Sequence, residues 1–193
     1  MSIRFDMHAH FYGGGLGEML HARRARPYLR DLMEETGETA NLGVEQNGQV
    51  LFVSQVETHA TIRAFFPPGT LSLPHASGIG KALLAQMDDV RLQRILDAGP
   101  LVGFTEFTLT ERDALLADLA VTRVRGYALD GEERNLGMRC IAAPVFDIHG
   151  EAIAGISVSG PTSRVGTDQI AVFSAAVVEA ARGLSAAIGG AVS

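Results

Sequence analysis

Apolar and polar residues alternate with a period of two along some stretches of this chain and recur every three or four positions along others. Alternation runs through 40–46 and 49–57 on either side of Asn47-Gly48. Asn-Gly between two such runs is the strongest short-range hairpin signal, because both residues accept the positive φ that a two-residue turn needs. A second pair of β-rich runs, 139–147 and 151–159, flanks Ile148-His149-Gly150 and predicts another hairpin. The run 61–66, stopped by Pro67-Pro68-Gly69, reads as a further strand, and 126–129 as a short one.

Helical spacing marks the rest. Leu16 to Thr36 is helical in pattern, with Pro27 predicting a kink or a restart and Gly37 an end. Ser77 is expected to cap a helix from Gly78 to Gln86, and Asp88 one running to Ala98. Thr110 would open a helix over 111–125, with Leu115, Leu116, Leu119, Val121 and Val124 on one side. Thr167 or Asp168 would cap the last helix, over 168–188, which presents Ile170, Phe173, Val177, Ala181 and Leu184 at core spacing. Hairpins dominate and no βαβ unit repeats, so the fold class is α+β: one mostly antiparallel sheet with helices packed on it.

Residues 1–15, ending in Gly13-Gly14-Gly15, read as a flexible tail, and 16–193 as one domain. The 193 residues are 47% apolar and 20% charged, enough for a full-sized core. A formal charge of −6 argues against this chain gripping nucleic acid by itself, since phosphate binding needs clustered Lys and Arg. Arg23, Arg24, Arg26 and Arg30 are a local exception, read as a solvated helix face. A single Cys excludes an internal disulfide and fits a reducing, cytoplasmic compartment. No secretory signal or membrane span is expected, because Glu179 and Arg182 interrupt the most apolar helix. His8 and His10 lack a nearby third ligand, so no metal or cofactor is expected.

Candidate chemistry gathers in three places. In Pro74 to Lys81, a Ser cap followed by Gly78 and Ile79 leaves backbone N–H groups at a helix start, which attracts an anion; the spacing is not a Walker loop. Asp130, with Glu132 and Glu133, follows the short strand as an acidic turn. Cys140 is adjacent in the next strand, and Ser157 and Ser159 share one face of the strand after it. One concave site could collect the carboxylate, the thiol and both hydroxyls. A nucleophilic Cys140 would need a base, for which His75 and His149 are the candidates. Of Phe65 and Phe66, adjacent in a strand, one belongs in the core and the other against a pocket.

LHARRARPYLRDLMEETGETANLGV, PPGT followed by PHASGIGKALLA, GYALDGEER, GMRCIAAPVFD and ISVSGPTSR stand in this order. Together they resemble the effector-binding domain of the IclR family of bacterial transcriptional regulators, over about residues 20 to 188. The resemblance implies a GAF-like curved antiparallel sheet flanked by helices, a small-molecule pocket on one face, and homodimers or homotetramers. It implies no enzymatic activity. Family members carry an N-terminal winged helix-turn-helix, and nothing before Leu16 is long enough to form one. DNA would therefore be reached only through a domain not present in this chain. Carried across from family sensors of glyoxylate and pyruvate, the ligand contacts would be the amides of Gly78 and Ile79, with Asp130, Cys140, Ser157 and Ser159. Met138, Phe65 and Phe66 would form apolar walls. The expected effector is a small 2-oxo acid, glyoxylate first and pyruvate next, held by neutral donors with no Lys or Arg in the site. Aromatic or sugar acids are the alternative ligands, and a thiol-dependent hydrolase using Cys140 or a purely structural oligomerisation module the alternative functions.

Overall fold

The computed structural model describes residues 15–190, with side-chain surroundings from residue 23 onward. The expected tail, including His8 and His10, falls almost wholly outside them. Six strands form: β1 (Thr39–Gln46), β2 (Gln49–Val56), β3 (Leu71–Ser72), β4 (Ala128–Gly131), β5 (Met138–Phe146) and β6 (Ala152–Pro161). Both hairpins close as their turn residues dictate. Asn47 and Gly48 have φ of 52° and 80°, the mirror-image turn whose twist suits flanking strands. At the other turn Gly150 has φ 76°, and the Asp147 carboxylate accepts from the N–H groups of His149 and Glu151. The hairpins join through antiparallel pairing of β1 with β6. The result is one curved sheet in the order β3-β2-β1-β6-β5-β4, with every pair antiparallel.

The strand expected over 61–66 does not form. The chain there is irregular, and the turn that follows, in which the Thr70 N–H donates to the Pro67 carbonyl, places Leu71 and Ser72 opposite Leu51 and Val50. The strand that extends the sheet beside β2 thus lies after the Pro-Pro-Gly turn, not before it. The short strand expected over 126–129 is shifted to 128–131, because Gly126, at φ 82°, still terminates the preceding helix.

Alternation along the strands sorts two faces. Ala40, Leu42, Ile141, Val145, Ile156 and Val158 point to one side, where α1 (Gly15–Thr36) and α5 (Ile170–Ala187) pack through Ala25, Leu29, Leu32, Phe173, Val177, Ala181 and Leu184. Burying one such Leu or Val removes apolar surface worth about 1.5–3 kcal/mol from water. By length and composition alone, α5 is apolar enough to cross a membrane; in the fold its core-spaced residues lie on the sheet. The opposite face carries α2 (Gly78–Leu84), seated through Ile79, Ala82 and Leu83 on Val50, Phe52 and Ala142. Behind α2, α3 (Asp89–Asp97) and α4 (Arg112–Arg125) form a satellite cluster through Leu84, Leu92, Leu96, Leu115 and Leu119.

Several helix details depart from expectation. α1 runs unbroken through Pro27, which sits on the exposed face, where a carbonyl freed of its partner can meet water. α2 ends at Leu84, two residues early. Glu111 rather than Thr110 flanks α4, and Gln169 rather than Thr167 or Asp168 flanks α5, neither with a side-chain cap. Val121 and Val124 are exposed; the buried row of α4 is Leu115, Leu119 and Thr122. The Ser77 and Asp88 caps form as expected, accepting from Gly80 and Arg91 N–H. Arg23, Arg24, Arg26 and Arg30 all lie on the solvated side of α1.

Candidate functional site

Register builds a polar row across four strands. Asp130 of β4 pairs with Cys140 of β5, Cys140 with Ser159 of β6, and Ser159 with Thr39 of β1. All four face α2, and Asp130, Ser159 and Thr39 are buried. One step along the strands a second row runs Ala128, Ala142, Ser157, Asn41, Gln55. Placing carboxyl, thiol and hydroxyls side by side in mid-sheet needs no loop to hold them; backbone pairing fixes their spacing. Asp130 therefore belongs to a strand, not to the solvated acidic turn that its neighbours suggest.

A cavity of about 190 Å³ opens over the end of the first row. Asp130, Cys140 and Ser159 form its floor, and Phe65, Phe66 and Met138 its apolar walls. Phe66 stacks on Phe52 with ring centroids 4.9 Å apart and packs against the α2 core, whereas Phe65 stays 59% exposed. The expected division between core and pocket is only partial: both rings line the cavity, and Phe66, half-buried, also packs against the core, in a segment that is not a strand. That segment is tied down by Arg164, which pairs with buried Glu38 through both nitrogens of its fork and donates to the Ile62 carbonyl at 2.7 Å.

The floor continues into a small void of about 20 Å³ beside the start of α2, which Gly78 and Ile79 reach. Gly78 is there because nothing larger fits: a Cβ would stand 2.7 Å from Cys140 Sγ. Its N–H is directed at the Cys140 sulfur. Ile79 is buried, its side chain seated over Gly43 and Gly155, where an added Cβ would lie 3.3 and 2.8 Å from its Cγ2. Ser157 lines neither void. Its hydroxyl lies beneath the Cys140 thiol and is buried without a hydrogen-bond partner of ordinary geometry, as is the side-chain nitrogen of its neighbour Asn41.

The electrostatics depart from the neutral site expected. Lys81, fully buried on α2, reaches Glu133 at 2.5 Å and Asp118 at 2.9 Å. A buried ammonium between two carboxylates is tolerated only because it is paired. Burial pushes Asp130 up to about 6, although its Oδ1 accepts the Glu133 N–H at 2.8 Å and Lys81 pulls the other way. Burial likewise pushes Glu133 up, to about 7. Cys140 is shielded from bulk solvent yet open to the cavity; that shielding, with the charge of Asp130, pushes its thiol up to about 11. Three arginines also line the cavity, Arg63, Arg134 and Arg139, so the expectation of a site without cations is corrected. They escaped sequence reading because two lie in irregular segments and none belongs to a basic cluster.

Among the described residues, neither histidine expected as a base equips Cys140 as a nucleophile. The thiol's pKa is raised, not lowered. The His75 ring is committed elsewhere, its Nε2–H donating to the Val102 carbonyl at 2.9 Å, and His149 is exposed in the hairpin turn at the opposite end of β5. The arrangement suits reversible recognition of a small polar molecule.

Known proteins share this arrangement of elements. Residues 16–186 match the family described as bacterial transcriptional regulator IclR C-terminal. The chain is 63% identical to the HTH-type transcriptional regulator BhcR of Paracoccus denitrificans over 84% of its own length and 58% of that protein. It is 43% identical to the transcriptional repressor IclR of Escherichia coli, over 85% of this chain and 61% of that protein. It thus spans about three fifths of these curated relatives. Among solved structures, the Thermotoga maritima IclR superposes with a TM-score of 0.84 at 29% identity, covering 90% of this chain and 72% of that one. A double mutant of the inducer-binding domain of the transcription factor PobR from Acinetobacter, in complex with 3-hydroxybenzoic acid, gives 0.76 at 25% identity over 85% and 97%. Family match, sequence identity and fold agree: the chain belongs to the IclR C-terminal domain family of bacterial transcriptional regulators.

Proposed function

We propose that this chain is the small-molecule sensor of a cytoplasmic transcriptional regulator, and that its effector is a small 2-oxo acid, glyoxylate or pyruvate. The observation that carries this reading is the row Asp130, Cys140, Ser159 at the floor of a cavity of about 190 Å³ walled by Phe65, Phe66 and Met138. That volume is below the roughly 300–1,000 Å³ of pockets for drug-sized ligands, and it suits a few heavy atoms. Ser159 Oγ donates to the ligand from the floor, and the Gly78 and Ile79 amides add donors where the thiol turns aside. Asp130 accepts from a hydroxyl at the ligand's other end, as a hydrated aldehyde or a hydroxy acid would offer. Ser157 acts one layer down, through Cys140.

The effector shifts a population of subunit arrangements by its differential affinity for them. DNA is engaged through an N-terminal domain outside this chain, and the assembly is a dimer or tetramer. A thiol hydrolase is the weaker alternative, given the raised Cys140 pKa. The aromatic walls favour one second reading, an aromatic acid, the ligand class named for the PobR complex. Thermal-shift and calorimetric titration with glyoxylate, pyruvate and 3-hydroxybenzoate separates the two. Binding of the oxo acids, weakened about tenfold or more by Ser159→Ala or Asp130→Ala, is the expected result. Equal binding by those variants would remove the site, and binding of 3-hydroxybenzoate alone would replace the ligand class.

A further inference from the structure

We infer that Arg134 is the residue that receives the effector's carboxylate and gives the site its preference for acids over neutral analogues. This deepens the sensor reading above and rests on it. Arg134 borders both the cavity and the small void beneath it, alongside Asp130, Cys140 and Ser159. Of the three arginines at the cavity it alone has no hydrogen-bond or ion-pair partner for its guanidinium among the described residues, although its charge is felt by Asp130. Arg63 is paired with Glu57 at 2.8 Å, and Arg139 donates to the Val165 carbonyl at 2.5 Å. The guanidinium of Arg134 makes no ion pair among the described residues; it lies over the Phe104 ring, 3.8 Å from the centroid. Lys81 is not available to answer an anion placed next to Asp130, because it is occupied by Glu133 and Asp118; Arg139, whose Nε is buried without a partner, alternates with Cys140 along β5 and so leaves toward the opposite face of the sheet, that of Ile141.

The platform is built, not incidental. Thr108 Oγ1 accepts the N–H groups of Phe104 and Thr105 and donates to the Glu133 carbonyl at 2.6 Å. Thr105 Oγ1 donates to the Glu132 carbonyl at 2.7 Å. Two hydroxyls therefore lace the segment carrying Phe104 onto the segment carrying Arg134. His75 also stacks with Phe104, the ring centroids 6.2 Å apart. A guanidinium held over an aromatic face can keep its N–H edge free for bidentate contact with a carboxylate, which a lysine cannot reproduce. Phe104 is then a positioning residue.

The test is calorimetric titration of the chain with pyruvate and with pyruvamide, its uncharged counterpart of nearly equal size, and with glyoxylate. The parent is expected to prefer pyruvate over pyruvamide by about ten- to a hundredfold. Arg134→Gln should lose most of that preference while its affinity for pyruvamide stays within about threefold, since only the charged contact is removed. Arg134→Lys should keep part of the preference, and Phe104→Leu should reduce it with the arginine in place. An Arg134→Gln variant that keeps the parent's acid-to-amide ratio overturns the assignment. So does equal loss of both probes, which would mark a structural role. A parent that binds pyruvate with no preference over pyruvamide also overturns it. A parent that binds none of glyoxylate, pyruvate and 3-hydroxybenzoate removes the sensor reading beneath it, an outcome seen before any variant is made.

Discussion

Asp130 is a carboxyl at an uncomfortable depth. Its folded-state pKa, raised from 3.8 to about 6 chiefly by burial, means that the folded chain binds this proton more tightly than the unfolded one. Stability from this group is therefore full below about pH 4 and is lost as pH rises through about 6. A shift of about two units corresponds to about 3 kcal/mol at most. Glu133, raised to about 7, adds to the same trend. The melting temperature should fall between pH 5 and pH 8, and Asp130→Asn, which keeps an oxygen to accept the Glu133 N–H, should flatten that fall. Thermal unfolding followed by circular dichroism across pH checks this; a parent whose melting temperature climbs over that range contradicts it. Loading the cavity with an anion should raise the Asp130 pKa further, so binding above pH 6 should draw in protons.

At the level of elements, the docking of α2 onto the sheet decides whether a site exists. Four glycines, Gly43, Gly78, Gly80 and Gly155, let helix, strands and the preceding 3₁₀ turn approach more closely than a Cβ permits. Gly78→Ala should destabilise by about 1–3 kcal/mol through overpacking. The obstacle is the Cys140 sulfur at 2.7 Å, whereas the next contacts stand at 3.4 Å. Cys140→Ala should therefore relieve much of the loss in the double variant, and urea unfolding of the four-member cycle measures it. Strict additivity would place the strain elsewhere. The same elements explain what could be read in advance. Asn47-Gly48 and Gly150 encode their hairpins locally, and the alternation of Ser157 and Ser159 put both on one face. β3 is two residues long and exists only because β2 offers it an edge, so no local pattern marks it. Lys81 and Glu133 meet across 52 positions of sequence, and Arg134 finds Phe104 across the whole of α4 and β4; neither encounter leaves a periodic trace.

For the whole molecule, the expectation is an assembly. Val124 on α4, at 90% exposure, borders an open groove of about 370 Å³ that Val178, Ala181 and Arg182 of α5 line from the other side, and Val121 and Val172, at 53% and 60%, leave further apolar surface on the two helices. Light scattering at micromolar concentration should give a multiple of 20.5 kDa, and a mass of 20.5 kDa would count against it. One feature reaches beyond any single ligand. The cavity floor belongs to strands whose register the entire sheet enforces, while its roof is irregular chain around Phe65 and Arg134, anchored at a few points. Mutation meets these halves differently: a change in the floor touches both the ligand and the pairing of the sheet, whereas a change at exposed Phe65 or at Arg134 in the roof bears first on what is let in. Lineages descending from such a domain can keep the floor for aeons and trade one metabolite for another at the roof.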